Sequence, residues 1–443
     1  MRAWHWPEWT MLAFVVAGIV LRLQAARWNS FTHGDVQMDT TAGATLLGYG
    51  GFLMTNEDLC VLPDRLAGLP PLRDTFPMAL HGPGWALLGA GMNVLRGAPV
   101  SRLAVFFSLR LLSLIAGIAV LWFAHRLTRQ VAGRSAAWAV TGVLSLSYLL
   151  ADFAGNGALY SLQTLLYLLW ISVARREDAP YRAVLLGTVG GVAYLLNFQS
   201  IILLPAAFFL FALHDTGPLK KRVVNFCIVV GVTALIMLPW LLRNAELFGN
   251  PFQSHYLQQT YIYNKAGLVP NAGGTGPEYT PSVADWLSII AGMFRVWLPN
   301  NLYYAARKLF ILAPVLFIFF SFGLIDYVFD PVRRRKLLPI LLVLGFHLLL
   351  SSVWPVMKFR HLVPILPIVA LLGVEHLYSL RLGTVARRIC VGTSVACTAI
   401  VTVIAHVQIP THTFYYDGAV TQDAYHGSQE LQVLRECGLL PAA

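Results

Sequence analysis

Charge is what this chain has least of. Only 12% of its 443 residues are Asp, Glu, Lys or Arg, about half the roughly 25% usual in soluble globular proteins. Residues of the AVILMFWYC set reach 57%, with a mean hydropathy of +0.63. A chain of this length would suggest about three soluble domains, but it lacks the ions to cover their surfaces. Water-soluble, disordered and fibrous classes are thereby excluded. Cysteine is also scarce, at five, and no CxxC or Cys/His spacing points to a structural zinc site. Neither a P-loop nor a GxGxxG in a suitable context is present. What remains is an all-α polytopic membrane protein.

Crossing hydrocarbon takes about 20 apolar residues as a helix, since lipid offers backbone groups no partners. Eleven spans are predicted, at about 9–26, 103–124, 135–151, 157–174, 183–198, 200–213, 223–242, 309–328, 337–354, 362–380 and 389–408. The fifth and sixth are short and separated at Asn197 to Gln199, which predicts a helical hairpin with a tight turn. Sixteen of the 32 Lys and Arg residues fall in five short loops, among them Arg126, Arg175, Lys220, Arg333 and Arg381. Those loops are expected to be cytoplasmic, with the N-terminus inside and the C-terminus outside a cytoplasmic (inner) membrane. The net charge of +11 is then a topology signal, and no nucleic-acid partner is expected. The N-terminal apolar run also resembles a cleaved signal peptide, but its weak basic region favours a retained anchor.

Residues 1–408 read as one transmembrane domain, with long outer loops at about 27–102 and 243–308 and a short outer tail at 409–443. Transporters usually keep loops short and place ionisable groups at mid-membrane. Here length and acids lie outside, which favours chemistry at the outer surface. Cys227, Cys390 and Cys397 fall within spans, whereas Cys60 and Cys437 fall outside, where a disulfide is an open alternative.

The first loop carries His33-Gly34-Asp35-Val36-Gln37-Met38-Asp39, then a stretch reaching Phe52. Ala42, Leu46 and Leu47 at helical spacing predict an amphipathic surface helix, with Asp35 and Asp39 one turn apart on one face. Asp35 there reads as an N-terminal cap or as a catalytic carboxylate, and the two roles are compatible. His81-Gly82-Pro83-Gly84-Trp85 opens a second candidate surface helix. The seventh span ends in Pro239-Trp240 and Arg243-Asn244, readable as an interfacial anchor pair. Lys358-Phe359-Arg360-His361 places two cations outside, against the charge rule, which suggests a bound anion such as a lipid phosphate. Asp152 either marks the end of the third span or binds substrate. Arg110, costly inside the second span unless it faces a polar interior, lines a cavity or pairs locally. His347 and Glu375 read as packing or interfacial groups.

At these residues the sequence resembles a family. Asp35 to Phe52 is similar to the first-loop motif of polyprenyl-phosphate-dependent glycosyltransferases of the GT-C fold, relatives of protein O-mannosyltransferases and the aminoarabinose transferase. His81 to Trp85 resembles their PPGYP element, Pro239-Trp240 with Arg243-Asn244 and Phe248-Gly249 resembles PW..RN...FG, and Arg360-His361 with Pro364 and Pro367 resembles RY..P..P. The four elements follow the family order. Asp39 stands where relatives commonly have an aromatic, His361 where they often have Tyr, and Lys358 and Asp152 have weaker counterparts. The large outer C-terminal domain of some relatives has no counterpart in this sequence, so acceptor recognition is expected to rest on the loops and tail.

The resemblance implies a donor sugar on a polyprenyl monophosphate, with membrane lipids around it, and an acceptor that is a glycan, lipid or protein. It assigns Asp35 as general base toward an acceptor hydroxyl or amine that attacks the anomeric carbon, with inversion. An ordinary aspartate is too weak to ionise an alcohol beforehand, so proton transfer accompanies attack. Arg243, Lys358 and Arg360, with His361 and His81, are the candidates to steady the leaving phosphate, and Asp39 and Asp152 the candidates for sugar or acceptor. Cations suffice for a monophosphate, so no metal and no further cofactor are expected. The rivals are a transporter or flippase of lipid-linked sugars, which predicts inverted repeats and broken helices, an inactive envelope scaffold, and a diphosphate-donor glycan ligase or polymerase.

Overall fold

The computed structural model describes residues 6–28, 34–55, 68–78, 81–177, 179, 181–253, 262–263, 265–268, 282–355 and 357–408. It is mostly helical. The first part contains α1 (Trp6–Trp28), α2 (Gly34–Tyr49), α3 (Gly84–Leu95), α4 (Arg102–Ala132), α5 (Arg134–Leu146), α6 (Tyr148–Gly155) and α7 (Tyr160–Ala174). It continues with α8 (Arg182–Leu196), α9 (Leu203–Leu213), α10 (Leu219–Phe248), α11 (Val283–Gly292) and α12 (Leu298–Leu312), a π-helical turn at Met293–Trp297 joining the last two. Last come α13 (Pro314–Phe329), α14 (Pro331–Val353), α15 (Leu366–Ser379) and α16 (Thr384–Gln408).

Among the described residues, Arg102–Ala132, Leu219–Phe248, Pro331–Val353 and Thr384–Ala405 are long and apolar enough to cross a membrane alone. The third predicted span is not straight: α5 and α6 meet at a 61° bend and make a fifth candidate only as a pair. The other predicted spans fall on shorter apolar helices. Leu235, Phe322 and Val403 are exposed, as residues facing lipid would be.

α4 is the hub, packing against α1, α2, α3, α5, α6, α7 and α15. Its ends follow from local chemistry. The Ser101 hydroxyl accepts the N–H of Ala104, the usual work of an N-cap, and Gly133, at φ +92°, turns the chain into α5. The bend at Ser147 leaves the last carbonyls of α5 without helical partners. Arg22 of α1, wholly buried, donates to Ser145 O at 3.0 Å and Leu144 O at 3.1 Å, and the Thr402 hydroxyl donates to Leu146 O.

The arginine-rich loops also build structure. Arg334 donates to Val328 O, Arg335 to His214 O and Lys336 to Val131 O. Each cation thus meets the carbonyl end of a neighbouring helix, where the helix dipole favours positive charge. Arg333 pairs with Glu375 at 2.7 Å, and Glu375 also accepts from Tyr327 at 2.8 Å, so this acid has partners in the core.

Two expectations change. The α2 helix is not an amphipathic surface helix: residues 36–45 are buried apart from half-buried Met38, because α2 is enclosed by α3, α4 and the strand that follows. Small residues permit the approach, and a Cβ on Gly43 would lie 2.9 Å from both Ala86 O and a Val105 methyl. The fold is also not wholly helical. β1 (Leu53–Thr55) pairs antiparallel with β2 (Thr75–Pro77), Met54 opposite Phe76. By contrast α3 keeps Trp85, Ala86 and Ala90 buried and Leu87, Leu88, Val94 and Leu95 exposed, as expected of a surface helix. The hairpin at Asn197 forms as expected, its side chain accepting the N–H of Gln199. Cys227, Cys390 and Cys397 are free thiols. Cys60, Cys437 and the tail 409–443 lie outside the described residues.

Candidate active site

The HGPGW element is fixed by close backbone packing. A Cβ on Gly82 would lie 2.1 Å from Leu195 O and one on Gly84 2.9 Å from it, so only glycine fits against the end of α8. Trp85 is buried, and its Nε1 donates to Gly157 O at 2.9 Å. Thus anchored, the element presents His81, whose Nδ1 lies 3.3 Å from Oδ1 of Asp39. The Asp39 side chain is buried while the imidazole is partly open.

Asp35 occupies the first turn of α2, and its side chain lies outside the described residues. Its neighbour Val36 is buried beside Gly157, where a Cβ would stand 3.5 Å from a Val36 methyl and 3.3 Å from Arg110 Cγ. Arg110 donates from Nε to Gly155 O at 3.0 Å, lies over the Phe106 ring at 4.9 Å, and is coupled electrostatically to Asp152. Asp152 is buried and accepts from Asn156 at 3.4 Å. Asp35 is therefore one residue from Val36, which packs beside the Gly157 turn that Arg110 also meets. Arg110 thus pairs locally with the Gly155 carbonyl and interacts with the buried Asp152.

Arg243 sits elsewhere. Its guanidinium donates to Met78 O at 2.7 Å, Asn244 Oδ1 at 2.9 Å and Phe52 O at 3.3 Å. It also lies 4.4 Å from the Trp240 ring and 5.7 Å from that of Phe248. Trp240 is buried edge-on to Phe52 at 5.9 Å. The PW..RN...FG element is thus the clamp that holds α10 to both sides of the β1–β2 ribbon, and an interfacial anchor reading does not fit it.

Lys358, Arg360 and His361 share one turn, Phe359–Leu362 being 3₁₀. His361 is buried, and its Nδ1 accepts the Lys358 N–H at 3.3 Å. Sequence reasoning missed Lys308, whose ammonium lies 4.5 Å from the Phe359 ring and 5.3 Å from that of Tyr304. Burial and the neighbouring Arg307 pull this ammonium below its ordinary pKa. Its position just before the eighth predicted span, a cation at the end where cations are few, was the available signal. Two clusters result, one around Asp39, His81, Arg110 and Asp152 and one around Lys308 and Lys358 to His361. The end of α8 touches both, through Leu195 against Gly82 and through the hydrogen-bonded chain that starts at Asn197. Among the described residues no group of three or more His, Cys, Asp or Glu could hold a metal ion.

The family model described as dolichyl-phosphate-mannose-protein mannosyltransferase matches residues 81–242. No curated protein matches the chain as a sequence relative. Among solved structures, the archaeal oligosaccharyltransferase AglB from Archaeoglobus fulgidus, in complex with an inhibitory peptide and a dolichol-phosphate, is similar with TM-score 0.54 and 13% identity, over 95% of this chain and 60% of that one. ArnT from Cupriavidus metallidurans bound to undecaprenyl phosphate is similar with TM-score 0.56 and 15% identity, over 98% of this chain and 70% of that one. Its apo form gives TM-score 0.53 and 16% identity, over 97% and 70%. The chain spans 60% of the length of the oligosaccharyltransferase it resembles, and the fold it carries is the GT-C glycosyltransferase fold.

Proposed function

We propose that this protein is an integral-membrane glycosyltransferase that moves a sugar from a polyprenyl monophosphate to an acceptor hydroxyl or amine at the outer face of the cytoplasmic membrane. The observation that carries the reading is that Val36, next to Asp35, packs beside Gly157, a glycine that also meets Arg110, the electrostatic partner of Asp152, on a fold shared with a lipid-phosphate-bound neighbour. Asp35 takes the acceptor proton as the acceptor attacks, and the anomeric centre inverts. Lys358 and Arg360, with Lys308 beside them, stabilise the negative charge left on the lipid phosphate. Arg243 positions the first loop. His361 shapes the cationic turn, while His81, Asp39 and Asp152 line the sugar or acceptor side. The acceptor is a glycan, a lipid or a protein segment, and eleven spans place the arginine-rich loops in the cytoplasm. Neither metal nor cofactor takes part, so activity should survive a strong chelator.

The bend between α5 and α6 is the broken helix that the transporter reading predicts. In transporters such a break leaves carbonyls open to coordinate ions. Here the carbonyls of Leu144, Ser145 and Leu146 all accept protein donors, which favours the enzyme. The test is Asp35→Asn, compared with wild type by mass analysis of envelope glycans. Expression and melting should stay near wild type while the glycan product disappears. Full product from that variant would overturn the assignment.

A further inference from the structure

A line of buried polar groups runs beneath the cationic turn. Asn197 Nδ2 donates to Gln163 Oε1 at 3.2 Å, and Gln163 Nε2 lies 3.1 Å from the Tyr167 hydroxyl. That hydroxyl lies 3.3 Å from His347 Nδ1, and His347 Nε2 lies 2.7 Å from His361 O. Gln163, Tyr167 and His347 are each no more than 1% exposed. Four elements contribute: the α8–α9 turn, α7, α14 and the Phe359–Leu362 turn.

Donor chemistry fixes the direction of the line. A carbonyl only accepts, so His347 carries its proton on Nε2, and a neutral ring then offers Nδ1 as an acceptor. Tyr167 must therefore donate to Nδ1 and accept from the Gln163 amide, whose oxygen takes the Asn197 donor. Every group points the same way, an arrangement in which successive bonds strengthen one another. The far end of the line holds the peptide between the Arg360 and Lys358 side chains and the start of α15.

We propose that His347 is a positioning residue, which fixes the 358–361 turn through the His361 carbonyl so that Lys358 and Arg360 are set for the phosphate of a polyprenyl monophosphate. The inference rests on the phosphate role proposed above for those two cations. His347 touches no phosphate itself. It acts by holding the turn in one arrangement, which lowers the ordering needed on binding.

The test uses the full chain in detergent with undecaprenyl phosphate as the probe, recording Kd and melting temperature together. His347→Leu removes both bonds and should weaken Kd roughly five- to tenfold, the usual worth of one buried hydrogen bond. His347→Gln, whose Nε2 and Oε1 can take over the two ring nitrogens, should bind within about twofold of wild type. Tyr167→Phe leaves Nδ1 without a donor and should fall between, so it carries the test if His347→Leu does not fold. Arg360→Ala is the benchmark. If it binds the probe like wild type, the phosphate reading is wrong. If it weakens binding while His347→Leu and Tyr167→Phe do not, the positioning role is wrong. A lower melting temperature with unchanged Kd in the His347 and Tyr167 variants also overturns it.

Discussion

His81 and Asp39, 42 residues apart in sequence, meet with Nδ1 of the imidazole 3.3 Å from Oδ1 of the carboxylate. The acid is the buried member and the ring the more open one. This is the arrangement in which a carboxylate sets the tautomer of a histidine: Nδ1–H donates to Asp39, and Nε2 is the nitrogen left to exchange a proton or accept a hydrogen bond. Asp39 stands where the resembling family commonly has an aromatic, and its partner His81 heads the glycine-proline element.

Asp39→Asn keeps the volume but presents an amide to Nδ1 and loses control of the tautomer. Transfer should fall by about tenfold or more with little change in melting. His81→Asn should cost a similar factor. Because the residues act as a unit, the double variant should be no worse than the weaker single. Losses that multiply in the double variant would show that the pair does not work together.

Gly82→Ala tests the packing of the HGPGW element. Its methyl would stand 2.1 Å from Leu195 O, backbone that cannot swing aside. Forced shifts of this kind cost about 1–3 kcal/mol, read as a lower melting temperature in detergent. Gly91→Ala, on the helix that follows, is the control. Its Cβ meets nothing within 4 Å, and replacing a helical glycine should raise stability by roughly 0.5–1 kcal/mol. Equal melting of the two variants would contradict the contact.

The apolar runs were legible because lipid allows the chain one local solution, and helices occupy them. The break at Ser147 was not, since nothing in Leu144-Ser145-Leu146-Ser147 says whether a partner will cap its carbonyls. Arg22 was the unused clue, a cation inside the first apolar run. The α2 helix misled for a different reason. Ala42, Leu46 and Leu47 at helical spacing predict one apolar face, yet Thr40, Thr41, Gly43 and Thr45 are small enough to bring the helix within touching distance of its neighbours, and they are buried as well. Arg243 was singled out for a phosphate, but a guanidinium suits a phosphate and a pair of carbonyls alike, and the structure places it on the carbonyls of Phe52 and Met78.

That distinction yields a prediction for Arg243. Replacing it with Ala removes the bonds to Phe52 O and Met78 O together with the stacking on Trp240. The first loop should loosen, lowering the melting temperature and reducing affinity for both donor and acceptor. Arg243→Lys should restore little, because one ammonium cannot reproduce the planar fork. A change confined to donor affinity, with normal melting, would return Arg243 to the phosphate site.

Arg22 carries the last prediction. Its guanidinium, buried in α1, also donates to Gly18 O at 2.9 Å, so one side chain ties a turn of its own helix to the open end of α5. Arg22→Met keeps most of the apolar stem and removes the donors, taking from Ser145 O its side-chain donor and leaving Leu144 O with the Ser147 N–H at 3.3 Å alone. Each such loss costs about 1–3 kcal/mol, though bilayer settings often show the lower figure. Thr402→Val uncaps Leu146 O in the same way. The bend sets the angle of α6, which bears Asp152, so both variants should lose transfer along with stability, and the double variant should lose more of each than either alone. Normal melting of Arg22→Met would mean that the bend does not need its cap, and lowered melting with full transfer would separate the bend from the site.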